Sequence, residues 1–323
     1  MKVLVTGASG MLGRATAQAL VDRGDDVSVL QRRPSGLACR EVRGDVSDAS
    51  AVGRAVEGQE VVVHLAAKVD VVGPWSEYEQ ANVVGTRTVV DACRAGSPFR
   101  LVHVSSPSVA HGGESLVGAA AGPADPGGAR GHYARSKAMA EQIALAADGS
   151  ELAVLAIRPH LVWGPGDTQL VGRIVERGRA GRLPLIGTGA ALIDTTYVDN
   201  AVSALVDAVD AWTVRGEALV VTNGEPRPVA EILARLCLAA GVPGPRGHVP
   251  VVVAASAGSV IETAWRLLRR RDTPPMTRFL AEQLATAHWF DQRRTREALQ
   301  WEPRVSLDEG FAKLTAWYAA DAR

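Results

Sequence analysis

Tyr133-Ala134-Arg135-Ser136-Lys137 sets a phenol and an ammonium four residues apart, on one face of any helix that contains them. That pair can move a proton. Free tyrosine titrates at about 10, too high for ready exchange at neutral pH, and a nearby cation stabilises its phenolate. Tyr133 would then act as an acid in a reduction or a base in an oxidation. A four-residue spacing recurs by chance, so the motif needs support from elsewhere in the chain. Leu101-Val102-His103-Val104-Ser105-Ser106-Pro107-Ser108 gives it: an apolar run of strand type ends in hydroxyls, and ligands of open α/β sheets gather at such carboxyl ends. Ser105, Ser106 and Ser108 all qualify by residue type. A nucleophilic serine is disfavoured, because the surrounding pattern is not GxSxG and no His/Asp partners can be identified.

A proton carrier of this kind suits redox chemistry, and the N-terminal segment supplies a place for a dinucleotide. Thr6-Gly7-Ala8-Ser9-Gly10-Met11-Leu12-Gly13 follows a short apolar run and opens a helical pattern, the context that gives a glycine motif physical meaning. Gly7 permits the tight turn, Gly10 lets the backbone approach a pyrophosphate, and Gly13 allows helix and strand to pack closely. The phosphates would sit on free N–H groups at the positive helix end, with Gly7, Ser9, Gly10, Met11, Leu12 and Gly13 as the expected contacts. After the second apolar run, an NAD-preferring site wants a carboxylate for the ribose 2′-hydroxyl, whereas this chain has Leu30-Gln31-Arg32-Arg33. The guanidiniums of Arg32 and Arg33 suit a 2′-phosphate, so NADP(H) is expected over NAD(H).

These groups must be held by alternating strands and helices. Short Val/Leu-rich runs predict strands at Lys2–Thr6, Asp26–Leu30, Arg40–Arg43, Glu60–Leu65, Arg100–Ser105 and Glu151–Arg158, with helices between them at Met11–Arg23, Ser50–Glu57, Glu79–Ala95 and His132–Ala147. That order predicts an α/β fold, a doubly wound parallel sheet of Rossmann type. After Pro159 the rhythm loosens, with one more strand at Ala218–Thr222. The expected division is a dinucleotide-binding domain over 1–163, to which 190–222 returns, and a smaller substrate lobe from 164–189 and 223–323. The formal net charge is zero, which offers no basic footprint for nucleic acid. Cys39, Cys93 and Cys237 are far apart and lack ligand spacing, and the histidines are scattered, so neither disulfides nor a metal is expected. The chain runs from Met1 straight into a strand, without the pattern of a signal peptide, which predicts a cytoplasmic protein.

The GxxGxxG spacing, the YxxxK pair and Arg158-Pro159-His160-Leu161-Val162-Trp163-Gly164-Pro165-Gly166 together resemble the extended short-chain dehydrogenase/reductase family. The likeness covers nearly the whole chain, through Ala81-Asn82-Val83-Val84-Gly85-Thr86, Asp194-Thr195-Thr196-Tyr197-Val198-Asp199-Asn200, Trp301-Glu302-Pro303 and Ser306-Leu307-Asp308-Glu309-Gly310. It is strongest to the 3β-hydroxysteroid dehydrogenase branch. Within that branch, Ser105 to Val109, Arg158-Pro159-His160, Trp163 to Asp167 and the stretch from Asp272 to Asp291 are similar to bacterial reductases of 2-alkyl-3-oxo acids. The resemblance implies that Ser106, Tyr133 and Lys137 are catalytic, with Tyr133 and Lys137 also touching the cofactor. It further implies Asp45 and Val46 near the adenine, Leu65, Ala66 and Ala67 beside the adenosine, and the backbone at Pro159, Leu161 and Val162 against the nicotinamide. Asp45 would otherwise be a helix-capping acid, and His160 either a second acid/base or a packed side chain.

The activity so implied is reduction of a long-chain β-keto acid to the β-hydroxy acid. A 3β-hydroxysteroid dehydrogenase would use the same residues in oxidation. A nucleotide-sugar epimerase or dehydratase shares the fold, although a dehydratase would want Asp-Glu after the active-site hydroxyl, where this chain has Pro107-Ser108. The apolar stretch 249–268, interrupted by Glu262 and Arg266 and closed by Arg269-Arg270-Arg271, is a poor membrane span. It would serve as a helix packed on its own domain, as a roof over an apolar substrate, or as a peripheral membrane contact. Relatives imply a homodimer through the helices at Glu79–Ala95 and His132–Ala147.

Overall fold

The computed structural model describes residues 1–70, 73–96, 98–268, 270 and 274–321. Seven strands form one parallel sheet: β1 (Lys2–Thr6), β2 (Asp26–Gln31), β3 (Arg40–Arg43), β4 (Val61–His64), β5 (Arg100–Val104), β6 (Ala153–Pro159) and β7 (Glu217–Val221), in the order β7-β6-β5-β4-β1-β2-β3. Successive side chains enter different cores. Val3, Val5, Val61, Val63, Leu155 and Ile157 face one, against α1 (Met11–Arg23) and the helix Val198–Asp210. Leu4, Val62, Leu101 and Val154 face the other, against the helices that run antiparallel across the opposite side. Both faces being covered explains why the strands read as unbroken apolar runs rather than alternating ones. The chain reverses its direction of winding between β1 and β4, and the crevice at that point is where ligands of such sheets bind.

The other helices that matter to the site are α2 (Ala49–Val56), α3 (Gly85–Ala95) and α4 (Gly131–Leu145). Most predicted boundaries lie within two residues of those observed. The helix expected over Glu79–Ala95 is a correction: Trp75–Tyr78 form an α-turn, Glu79–Val84 are π-helical, and only Gly85 onward is regular α. The wide turn accommodates Asn82, whose side chain is buried and bonded on both sides. At Gly85 a Cβ would lie 2.7 Å from Cγ2 of Val46, so only glycine lets α3 pack against the loop after β3.

A third core joins the outer side of α1 to the second half of the chain through Trp163, Ile174, Leu236, Phe311 and Leu314. A small sheet of Arg227–Pro228, Leu192–Ile193, His288–Phe290 and Leu116–Ala119 was not predicted, because strands of two to four residues carry no readable alternation. The stretch 249–268 forms a helix, Val251–Leu267, that leaves Val252, Val253, Val260 and Leu267 exposed. Among the described residues no helix is long and apolar enough to cross a membrane. Arg269, Arg271 and Asp272 lie outside the described residues.

Candidate active site

The three glycines of the N-terminal loop do separate jobs. Gly7 has φ +80° and approaches the chain after β4 so closely that a Cβ would meet the amide nitrogen of Ala66 at 2.7 Å. Gly13 lies against Gly7, whose carbonyl oxygen would be 2.4 Å from an added Cβ. Gly10 is different: an added Cβ would find only the Gly7 carbonyl, at an ordinary 3.6 Å. Gly10 and Ser9 are exposed, while Met11 and Leu12 are half-buried. The N-terminus of α1 has neither a side-chain cap nor an acid in its first turn, so its positive end faces the crevice uncompensated. Thr6 Oγ1 accepts from the amide of Ala66 (3.1 Å) and bonds His64 Nδ1 (2.8 Å), which fixes the half-buried Leu65-Ala66-Ala67 wall beside the loop. This cradle fits a dinucleotide: a helix end for the pyrophosphate and a flat, small-residue wall for the adenosine.

At the far end of the crevice Arg32 and Arg33 are exposed, and Arg32 Nη1 stands 3.8 Å from Asp45 Oδ2. Gln31 occupies the tip of β2, buried, its amide donating to Glu41 at 2.9 Å. Arg14 of α1 donates to the Ser35 carbonyl and brings a third guanidinium to the same loop. Sequence reasoning missed it, since its position inside a helical pattern reads as an ordinary solvated residue. Asp45 is not the helix cap; Asp48 is, accepting from Ser50 and Ala51, while Asp45 Oδ1 holds the amide and hydroxyl of Ser47. The Val46 side chain is buried in the core, so only its backbone can face an adenine.

The carboxyl end of β5 delivers the hydroxyl and α4 delivers the phenol and the ammonium. The Ser106 side chain acts on the Tyr133 phenol, and Ser106 Oγ lies 2.9 Å from Ser108 Oγ. Ser105 is buried, and of the three serines Ser106 is the one that acts on the phenol. Lys137 is also buried, with Nζ donating to the Val104 carbonyl at 2.6 Å. Burial brings the Lys137 ammonium down to about 8, with Glu141 opposing. The electrostatics differ from the sequence expectation in one respect: burial raises the Tyr133 phenol above its ordinary value, and the group pulling it down is Ser106. Lys137 is turned toward β5, where its charge acts on the histidines beneath it. His64 is held down to about 3 and His103 well below the usual range, both chiefly by burial and then by Lys137. They are neutral and add no positive charge to the site.

Asn82 carries a bracing role that the sequence quoted but did not assign. Its side chain accepts from the Lys68 amide (2.7 Å) and donates to the Lys68 carbonyl (3.1 Å) and to Ser136 Oγ (2.8 Å). It thus ties the adenosine wall to the helix turn between Tyr133 and Lys137. His64 Nε2 meets Thr86 Oγ1 at 3.1 Å and makes a second tie, from β4 to α3.

At the end of β6, Arg158 is buried and paired bidentately with Glu141 of α4, at 2.8 and 2.5 Å. Its remaining nitrogen donates to Gly122. Pro159 is buried, Val162 half-buried and Leu161 exposed. His160 is packed: Nδ1 bonds the Asp194 carbonyl at 2.6 Å, the ring stands edge-on to Phe290, and burial takes it down to about 4. These bonds give it a structural place rather than that of a second acid/base. Among the described residues no group of His, Cys, Asp and Glu could hold a metal ion.

A crevice at the winding switch, a glycine-lined helix end and a Ser/Tyr/Lys group from the end of β5 and from α4 agree with comparison to known proteins. The model of the 3-beta hydroxysteroid dehydrogenase/isomerase family matches residues 4–246. The chain belongs to that family. Like other members it is an NAD(P)-dependent dehydrogenase/reductase. Relatives include the 2-alkyl-3-oxoalkanoate reductase of Stenotrophomonas maltophilia, 42% identical over 99% of this chain and 100% of the relative. The protein of the same name from Shewanella oneidensis is 37% identical, covering 97% and 85%. The 3 beta-hydroxysteroid dehydrogenase/Delta 5-->4-isomerase of Mycobacterium tuberculosis is 28% identical, covering 99% and 90%. Among solved structures, MoeE5 in complex with UDP-glucose and NAD superposes with a TM-score of 0.77 at 25% identity, over 100% of both chains.

Proposed function

We propose that this family member uses NADP(H) to reduce the 3-keto group of a long-chain 2-alkyl-3-oxo acid to the 3-hydroxy acid. The observation that carries the chemistry is the convergence of Ser106, at the carboxyl end of β5, on the Tyr133 phenol of α4, with Lys137 buried behind them. The substrate class is supported by the full-length likeness to two reductases of that name. The Gly7–Gly13 loop would hold the pyrophosphate, Leu65 to Ala67 the adenosine, and Arg32, Arg33 and Arg14 the 2′-phosphate. When bound there, NADPH supplies the hydride. Ser106 and Tyr133 hydrogen-bond the keto oxygen, and Tyr133 donates its proton to that oxygen as charge develops on it. Lys137 fixes the geometry of this face through its bond to the Val104 carbonyl of β5.

A 3β-hydroxysteroid dehydrogenase running in oxidation is the second reading, favoured by the family match. The test is one panel: NADPH oxidation with a long-chain 2-alkyl-3-oxo acid, against NAD(P) reduction with a 3β-hydroxysteroid and with a nucleotide sugar. Turnover of the oxo acid is expected to dominate. A preference for the steroid would replace the proposed substrate while keeping the catalytic group.

A further inference from the structure

Leu161 and Gln300 are the non-glycine residues with left-handed backbone among those described, at φ +44° and +50°. Gln300 ends a helix, where a left-handed residue is routine. Leu161 ends none. It is the bend between two strands that are each pinned. Before it, Pro159 pairs with Val221, the His160 amide donates to the Val221 carbonyl (3.1 Å), and the His160 ring is tied to Asp194 (2.6 Å). After it, Val162 and Trp163 pair with Thr196 and Tyr197, while Thr196 Oγ1 donates to the His160 carbonyl (2.8 Å). The surroundings therefore dictate a left-handed residue at 161, and such over-determined strain clusters at functional sites.

Glycine or asparagine would take that conformation at less cost. The chain has leucine instead, and its side chain is 36% exposed, so core packing does not account for it. The position does. β6 neighbours β5, and the Ser105 amide donates to the Ile157 carbonyl at 2.7 Å, so Leu161 and Ser106 leave adjacent strand ends on one edge of the crevice. We infer that Leu161 is a specificity-determining residue: the strained backbone is retained to present an apolar side chain to the alkyl portion of the substrate beside the reacting carbonyl. This rests on the keto-acid reading and extends it to a particular side chain.

The test compares Leu161→Asn with Leu161→Met. Asparagine suits the backbone and removes the apolar surface, whereas methionine keeps the surface at similar volume. For Leu161→Asn the melting temperature should hold or rise, while the kcat/KM ratio of a long-chain 2-alkyl-3-oxo acid to 2-methyl-3-oxobutanoate should fall about tenfold or more. Leu161→Met should restore the ratio. Equal losses on both acids, or a lowered melting temperature for Leu161→Asn, would overturn the assignment. If the wild-type protein reduces neither acid, the substrate reading fails separately. Leu161 is then judged with dodecanoate, an unreactive alkyl carboxylate: its thermal shift in the presence of NADPH must shrink in Leu161→Asn and return in Leu161→Met, and an unchanged shift rejects the role.

Discussion

Lys137 spends its charge in an unusual place, beneath the phenol, bonded to a strand carbonyl and next to two neutral histidines. Its folded value of about 8 lies below the ordinary 10.5. Between those values the unfolded chain binds more protons than the folded one, so stability rises with pH across the window. The cost of burying the ammonium is present in full below about 8 and is relieved as pH approaches 10.5. Lys137→Met should accordingly raise the melting temperature more at neutral pH than at about pH 10, as thermal unfolding at the two pH values would show. A gain that grows with pH would contradict the burial account. That Tyr133 and Lys137 share one helix face was legible from spacing, whereas strand-end position left Ser105, Ser106 and Ser108 open and only the family resemblance singled out Ser106. The direction in which Tyr133 is shifted was not, because burial depends on how α4 meets β5, and four-residue spacing carries no information on depth.

Among the elements, the β1–α1 turn separates folding from binding within one motif. Gly13→Ala forces a Cβ onto the Gly7 carbonyl at 2.4 Å, backbone against backbone, and should lower the melting temperature as well as cofactor affinity. Gly10→Ala meets nothing closer than 3.6 Å within the protein, so it should fold with near wild-type stability and lose NADPH affinity. Thermal unfolding with and without NADPH separates the two, and equal destabilisation by both would deny Gly10 its place at the phosphates. The parallel strands were readable because both faces of the sheet are covered. The π-turn at Glu79–Val84 was hidden, since its cause is a tertiary one: Asn82 bridges Lys68 and Ser136, far apart in sequence. The small four-stranded sheet was hidden too, because pairings such as Ile193 with His288 are set by loop closure over long separations.

At the scale of the whole molecule the crevice would act as one device, with 2′-phosphate recognition proposed at one end and proton transfer at the other. Replacing Arg32 and Arg33 together by Ala should reduce the ratio of NADPH to NADH activity by about tenfold or more, with the arginine–phosphate bonds as the cause. A wild-type preference for NADH would remove that end of the device. The other end is tested most directly by isotope transfer. Carbon-4-deuterated NADPH and a long-chain 2-alkyl-3-oxo acid should give a 3-hydroxy acid with deuterium at carbon 3, and Tyr133→Phe, although still binding NADPH, should form that product at least roughly a hundredfold more slowly. Undiminished labelling by Tyr133→Phe, or a product without deuterium at carbon 3, would contradict the account.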